Sequence, residues 1–519
     1  QNSYLRRKMM REKKLVANTV TSLLFQICTI ICGFILPRII LGAFGSSVNG
    51  MVNSISQFLG VIGFLELGVG SVIQSSLYKP LAEKDDESIS KIVVSGQKFF
   101  SRLASILLVY VCILMFTYPF FAKQEMGVLY TSTLIAILSI SSFAQYYFGA
   151  VNSILLTADQ RGYVSYITQI ITLILNTVFC VALINGGASL HLVKLTTSLI
   201  YVIRPLCLSY YVKKHYCIDR KIKYTGEPIK QKWNGVAQHI SAVILDGTDS
   251  IVLTIFAGLK AVSIYSVYNI IVAGVKQLFL SMTNGVQSLI GELLAKKEYE
   301  ELNTFFGWVE WSIHTGVVFV FGVTALLIVP FVQIYTQGIT DANYIQPLFA
   351  TLIVLANAGH CLRLPYNIVI LAGGHYKQTQ KCYIVAALLN VIISVVAVKK
   401  LGLIGVAMGT LMAMCYQTIW MAIYDSKNII HWPFKNFIKQ IVVDIITIVL
   451  MSSTVFVAPV KYYFILSSIS YVSWVFLAIK ISIVSIICIG IVNLICYKKY
   501  MIKLYNALTS ILKKLLDIN

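Results

Sequence analysis

Long apolar runs recur along the whole chain, and this feature limits the possible folds more than any other. A helix of about 20 apolar residues crosses the roughly 30 Å of hydrocarbon in a bilayer. Only 12% of the 519 residues are charged, which is about half the share in a soluble protein. Strands of a membrane barrel would show shorter segments of alternating polarity. The sequence therefore predicts an all-α polytopic membrane protein.

The apolar runs predict about 14 transmembrane helices in three groups. Helices 1–6 form an N-lobe over residues 1–212, and a basic cytoplasmic linker follows at 213–234. Helices 7–12 form a C-lobe over 235–424, and residues 425–519 hold two terminal helices and a basic cytoplasmic tail. The predicted spans lie near 17–41, 48–75, 99–120, 127–156, 163–184, 190–212, 235–258, 262–290, 307–330, 348–371, 381–398, 402–424, 437–458 and 474–497.

The net charge of +21 follows a membrane topology rather than a nucleic-acid surface. Basic residues gather at the N-terminus, in every second loop and at the C-terminus, as short cytoplasmic segments require. We therefore expect a multi-pass plasma-membrane protein with both termini in the cytoplasm, no nucleic-acid partner and no cleaved signal peptide. The eleven cysteines are scattered without a CxxC pair, so we expect no metal site.

The two six-helix groups resemble each other at a spacing of about 213 residues. An even number of spans per unit keeps both units in one orientation. Such parallel repeats are typical of transporters, with the substrate site between the repeats. The identities that carry the repeat are Gln74, Ser75, Leu81, Ala82, Lys84 and Glu87 with Gln287, Ser288, Leu294, Ala295, Lys297 and Glu300, then Ala158, Leu175 and Asn176 with Ala372, Leu389 and Asn390.

Four cations inside predicted spans are candidate ligands for an anionic headgroup: Arg38, Arg204, Lys276 and Arg363. A charge at the bilayer centre costs roughly 2.5–3.5 kcal/mol on insertion scales, so it usually faces a water-filled cavity or a partner. Lys276 and Arg363 lie near mid-depth. Arg38 lies close enough to the outer end of its helix to snorkel to the interface instead.

Three in-span carboxylates, Glu66, Asp246 and Asp249, are predicted to pair with those cations or to bind a coupling ion. Midplane carboxylates suit a proton or a sodium ion. The alternative for the two aspartates is a structural partnership with a neighbouring helix. Glu310 and His314 fall nearer the cytoplasmic end, so the sequence predicts an interfacial position for both.

Several short motifs stand at the same helix ends as in the multidrug/oligosaccharidyl-lipid/polysaccharide exporter superfamily. Over its full length the chain resembles a Wzx-type flippase of that superfamily. The resemblance implies alternating access and no enzymatic activity, with undecaprenyl-diphosphate-linked oligosaccharide as substrate. It also implies a functional monomer in the bacterial plasma membrane that works with a polysaccharide polymerase. The motifs are Leu41–Gly45, Glu66–Gly70 with Lys84, Leu155–Gly162, Leu371–Gly374 and Gly402–Ala407.

Other functions remain open at this stage. Within transport, the alternatives are a lipid II flippase and a cation-coupled drug exporter. The rival outside transport is a membrane polysaccharide polymerase or a glycosyltransferase with a lipid-linked donor. Such an enzyme should have a sizeable outside loop with charged motifs, whereas the segment 331–347 carries Asp341 as its only charge. An ATP-driven pump is disfavoured because the sequence has no GxxxxGK[ST] motif.

Overall fold

The computed structural model describes residues 2–122, 126–222, 226, 236–456 and 468–516, and every regular element in these ranges is helical. The predicted linker beyond residue 222, apart from Gly226, lies outside them. The helices are Asn2–Gly60 (α1), Gly63–Glu83 (α2), Asp86–Phe121 (α3), Val128–Ala144 (α4), Ala150–Ala158 (α5), Gly162–Asn185 (α6), Leu190–His215 (α7), Val236–Phe256 (α8), Leu259–Lys296 (α9), Tyr299–Tyr335 (α10), Pro347–Leu362 (α11), Leu364–Ala372 (α12), Tyr376–Leu401 (α13), Leu403–Asn428 (α14), Phe434–Phe456 (α15), Tyr471–Cys496 (α16) and Lys498–Leu516 (α17).

Twelve helical stretches in these ranges are long and apolar enough to cross a membrane. One of them, Val16–Gly60, has 45 residues and would extend about 68 Å as a straight helix, which is twice the hydrocarbon thickness. It is bent at Gly45, whose φ of 82° and ψ of 177° are not helical. These features confirm the predicted all-α polytopic membrane fold, while the number of 14 spans stays a prediction.

The backbone carries the repeat that the sequence predicts. Left-handed φ angles recur at a spacing of 213 to 215 residues, although a side chain such as lysine or glutamine rarely adopts them. Lys84 and Lys297 both end a helix in this conformation. Turn geometry thus supports the internal repeat. The four pairs are Gly45 (82°) and Gly258 (91°), Lys84 (57°) and Lys297 (60°), Gln160 (57°) and Gly374 (71°), and Gly187 (76°) and Gly402 (55°).

A helix in each half is also interrupted at the same repeat position. A π turn, Gln145–Gly149, separates α4 from α5. In the second half, Arg363 separates α11 from α12 and is followed by Pro365. Gly149 and Arg363 are 214 residues apart. Such interruptions in helices are frequent at functional sites.

The chain forms two compact units. The first comprises Gln1–Ile264 with Ile339–Ala342, and the second comprises Tyr265–Gly338 with Asn343–Asn519. The first unit therefore includes α8, which the sequence assigned to the C-lobe, and the lobe boundaries themselves stay a prediction. A hydrogen bond of 2.8 Å from Asn49 to Ser263 joins α1 to α9 within this unit.

Two carboxylates fasten α1 in the first unit, one at its bend and one near its start. Asp341 accepts hydrogen bonds from the backbone N–H of Ser46 (2.8 Å) and its hydroxyl (2.6 Å), directly after the bend at Gly45. Asp159 forms an ion pair of 3.2 Å with Lys14 and accepts a hydrogen bond of 2.6 Å from the Tyr216 hydroxyl. The turn after α5, part of one of the sequence motifs, therefore holds the start of α1.

In the second unit α13 and α14 pack closely because glycines face the neighbouring backbone. A Cβ atom on Gly405 would lie 2.5 Å from the backbone carbon of Ala397, and one on Gly409 would lie 2.2 Å from Oγ of Ser394. Real Cβ contacts are never this short. The Gly402–Ala407 motif therefore has a packing role in this structure.

Candidate functional site

A polar cavity of about 310 Å³ lies in the first unit beside the π turn. Hydroxyl and amide groups dominate its walls, Arg204 supplies a positive charge, and none of the described lining residues is acidic. A cavity with these groups can hydrogen-bond a hydroxyl-rich or anionic molecule. The lining residues are Ser141, Ser142, Gln145, Tyr146, Ser153, Ser165, Thr168, Gln169, Tyr201, Arg204 and Leu208.

Two contacts orient Arg204 at the cavity wall. Its Nε donates a hydrogen bond of 2.6 Å to Oγ1 of Thr172 on α6. Its guanidinium carbon lies 3.9 Å from the centre of the Tyr201 ring, one helical turn earlier on α7. A planar guanidinium held in this way can bind a phosphate with two parallel hydrogen bonds. The structure thus places the predicted ligand Arg204 in a cavity suited to it.

The second unit brings together two more of the predicted cations. Arg363 is buried at the break between α11 and α12, where its Nη1 donates to Oε1 of Gln417 on α14. Its Nε has no hydrogen-bond partner among the described residues. The ring nitrogens of His360 lie 3.4 and 3.5 Å from Nη2 of Arg363, and the charge of Lys276 also acts on this ring. Lys276, His360 and Arg363 therefore form a cationic cluster.

The histidine of this cluster was not predicted. His360 stands one helical turn before Arg363 on the same apolar helix, and this spacing is the signal that could have identified it. Among the described residues, the charges that act on it are those of Arg363 and Lys276. The cluster therefore has an excess of positive charge for an anion.

The two arginine sites occupy the same place in the repeat. In the first unit Arg204 faces the π turn that ends at Gly149. In the second unit Arg363 itself lies at the break, and Gln417 faces it from α14. Gly149 corresponds to Arg363, and Arg204 corresponds to Thr418, next to Gln417. Each half therefore has a guanidinium at the same helix junction.

The four remaining predicted site residues belong to α1, α2 and α8. Arg38 is half-buried in α1, and Asp249 is buried in α8 with 4% of its surface exposed. The side chains of Glu66 and Asp246 lie outside the part of the chain that the structure describes. The roles of these four residues stay predictions. Within the described residues, no group of three His, Cys, Asp or Glu side chains could hold a metal ion.

A neighbouring helix covers Glu310 and His314, and the interfacial depth that the sequence gives them stays a prediction. Both side chains are buried inside the second unit, with 3% and 0% of their surfaces exposed. The reason is that α15 covers this face of α10 and places Asp444 2.6 Å from His314. Periodicity along α10 alone could not show which neighbour covers this face.

Comparison with solved structures places this architecture among known membrane transporters. The lipid II flippase MurJ, in an inward closed conformation, matches with a TM-score of 0.69 at 14% identity, over 94% of this chain and 100% of that one. The chain shares its fold with MOP-superfamily transporters. An inward-facing MATE-family multidrug transporter of that superfamily matches with a TM-score of 0.58 at 17% identity, over 79% of this chain and 98% of that one.

A eukaryotic MATE transporter, AtDTX14, has a TM-score of 0.57 at 13% identity, over 83% of this chain and 98% of its own length. No family model and no curated protein matches the sequence. At these identities the structural likeness establishes the MOP-type fold.

Proposed function

We propose that the chain is a flippase that moves an undecaprenyl-diphosphate-linked oligosaccharide from the cytoplasmic to the outer leaflet. The observation that carries the proposal is the likeness to MurJ over 94% of the chain, because a lipid-linked flippase matches more of it than the MATE exporters at 79% and 83% do. The proposed setting is the bacterial plasma membrane, with both termini cytoplasmic and the monomer as the working unit.

The chemistry of the two arginine sites supports this class of substrate. A lipid-linked oligosaccharide carries a diphosphate and many hydroxyl groups. The cavity beside Arg204 offers hydroxyl and amide groups around one guanidinium, and the cluster of Lys276, His360 and Arg363 offers positive charge. Arg204 and Arg363 suit bidentate contacts with phosphate, whereas Lys276 acts as a point charge.

Lipid II is the second candidate substrate, because the structurally similar MurJ is a lipid II flippase. Lipid II and the other lipid-linked oligosaccharides share the diphosphate and differ in the sugar. The coupling ion, a proton or sodium, and cooperation with a polysaccharide polymerase are further parts of the proposal.

The test is leaflet-resolved flipping in reconstituted vesicles. The purified chain is inserted into liposomes that carry a labelled lipid-linked oligosaccharide, or lipid II in a parallel sample. Transfer of label to the opposite leaflet is then followed with and without proton and sodium gradients. We expect transfer of at least one of these lipids above the rate in protein-free vesicles. Absence of transfer for all of them would contradict the proposal.

Variants test the cationic cluster in the same assay. Lys276→Gln and Arg363→Gln should each slow transfer, since each removes one positive charge from the proposed headgroup site. Lys480→Gln is the matched control, because Lys480 is an exposed lysine within α16. Wild-type transfer by a folded Lys276 or Arg363 variant would remove that residue from the site.

A further inference from the structure

A chain of hydrogen-bonded ionisable side chains lies in the second unit, apart from the cationic cluster. Glu310 and His314 are one turn apart on α10. Nδ1 of His314 lies 2.6 Å from Oδ2 of Asp444, and the Tyr366 hydroxyl donates a hydrogen bond of 2.6 Å to Oε1 of Glu310. These four side chains expose at most 5% of their surfaces. Such groups are rare inside membrane proteins and usually functional.

The contacts of His314 are those of a ring that donates from both nitrogens. The Asp444 carboxylate at Nδ1 is one ring partner, and the Tyr366 hydroxyl at Nε2 is the other. Nε2 lies 3.5 Å from the Tyr366 hydroxyl, whose own proton points to Glu310. A neutral imidazole has one donor and one acceptor, whereas an imidazolium has two donors. Acceptors around the ring therefore favour the protonated form of His314.

The two carboxylates give the cluster a net negative charge, which a second proton would neutralise. Oδ1 of Asp444 accepts a hydrogen bond of 2.9 Å from Gln440, and Oε2 of Glu310 accepts one of 2.9 Å from Trp432. With His314 protonated, the ionised carboxylates of Glu310 and Asp444 leave a net charge of −1. Protonation of either carboxylate would neutralise the cluster in an environment where charge is costly.

The other ionisable groups around the cluster come from several neighbouring elements. Asp425 of α14 is buried and acts electrostatically on Tyr366. Tyr497, which follows α16, and Tyr500 of α17 lie within the electrostatic range of Glu310. On the α11 side, the positive charges of Arg363 and Lys276 act on His360. Neither carboxylate oxygen of Asp425 has a hydrogen-bond partner among the described residues, so a charge on Asp425 is costly there and the net charge of the cluster does not depend on it.

A cavity of about 410 Å³ gives the cluster a route to water. Glu310 and Gln440 are in its wall, together with Lys439 and Lys498 near the end of α16. This end of the second unit is predicted to face the cytoplasm. Protons could thus reach Glu310 through the cavity and pass by way of the Tyr366 hydroxyl to His314.

The same contacts join the cluster to the Arg363 break. Tyr366, which contacts His314 and donates to Glu310, lies in the first turn of α12, directly after the break. The cluster therefore contacts the α12 side of the break at Arg363. When His314 loses its second proton, it no longer has a donor for both Asp444 and Tyr366. A change in protonation is thus a local change in hydrogen bonding at the cationic cluster.

We propose that Glu310, His314 and Asp444 form a proton-binding site that controls the helix break at Arg363. The proton-binding part stands by itself, whereas coupling to transport rests on the proposed flippase function.

The first experiment measures the proton site directly. The full chain is labelled with nitrogen-15 histidine in lipid nanodiscs, and His314→Gln identifies the His314 signals. We expect imidazolium signals from His314 at about neutral pH, and a neutral ring in Asp444→Asn. His191→Gln is the matched control, because the His191 ring contacts the Thr133 hydroxyl (2.9 Å) and the Tyr130 carbonyl (3.0 Å) in the first unit. It should leave the His314 signals unchanged. A neutral His314 in the wild type across the acidic range would overturn the site, as would an imidazolium that Asp444→Asn leaves intact.

The second experiment tests coupling with the flipping assay under an imposed pH gradient. We expect the gradient to accelerate wild-type transfer several-fold, and to have no effect in folded Glu310→Gln and His314→Gln variants. A wild-type response to the gradient in both variants would overturn the coupling. If the wild type moves none of the lipids tested, the flippase proposal fails, while the histidine spectra still decide whether the site binds a proton.

Discussion

Replacement of Arg204 gives the sharpest test of the cavity in the first unit. Arg204→Gln removes the only cation among the described lining residues. A hydrogen bond to a charged group contributes about 1.5–3 kcal/mol, so binding of undecaprenyl diphosphate should weaken roughly 10- to 150-fold. Arg204→Lys keeps the charge but loses the bond to Thr172 and the planar stack on Tyr201. We expect an intermediate loss of about 10-fold for it.

The assay is the Kd of undecaprenyl diphosphate for purified variants, with thermal unfolding as the check on folding. Lys194→Gln is the matched control, since Lys194 is another buried cation of α7 and does not line the cavity. Its Kd should equal that of the wild type. A wild-type Kd in a folded Arg204→Gln variant would refute the reasoning. An equal loss in the Lys194 variant would also refute it, because the effect would not depend on the cavity.

Three further predictions concern the architecture. Gly409→Ala should destabilise the chain by about 1–3 kcal/mol through overpacking. Gly490→Ala should not, because open space surrounds a Cβ atom at that position. Thermal unfolding of the two variants compares them. Burial raises the pKa of Asp341 less than its hydrogen bonds lower it, so the net pKa is below the usual 3.8. Asp341→Asn should therefore cost under about 1 kcal/mol of stability above pH 3.8, because solvent screens the site, and this cost should vanish as the pH falls through the lowered pKa of Asp341. Denaturation at two pH values measures this. Asp159→Asn removes the ion pair with Lys14 and should accelerate tryptic cleavage there several-fold; an unchanged rate would contradict this role.

The sequence was sufficient for the positions of most helices, because apolar runs and their polar ends are local signals. Residues 163–184 were predicted for the helix that spans Gly162–Asn185, and 190–212 for Leu190–His215. The π turn at Gln145–Gly149 had no such signal, since the apolar pattern continues through it. Its place beside Arg204 could be seen only in three dimensions.

The candidate sites were predictable only in part for a related reason. A charge inside an apolar run indicates Arg204, Lys276 or Arg363 as functional candidates without showing what each contacts. The partner of Arg363 is Gln417, 54 residues away, and that of His314 is Asp444, 130 residues away. Contacts over such distances depend on how the helices pack, which periodicity within one helix does not determine.

The arginine stands on a different helix in each half, and this has a consequence for how the two halves are compared. A protein made of two copies of the first half would have an arginine on the helix that faces the break in both halves. A protein made of two copies of the second half would have an arginine at the break itself in both halves. This chain has one of each, at Arg204 and Arg363. In both halves the positive charge lies at the same junction, while a different helix supplies it. Internal symmetry therefore persists in where the charge lies, and comparing the halves residue by residue would miss it.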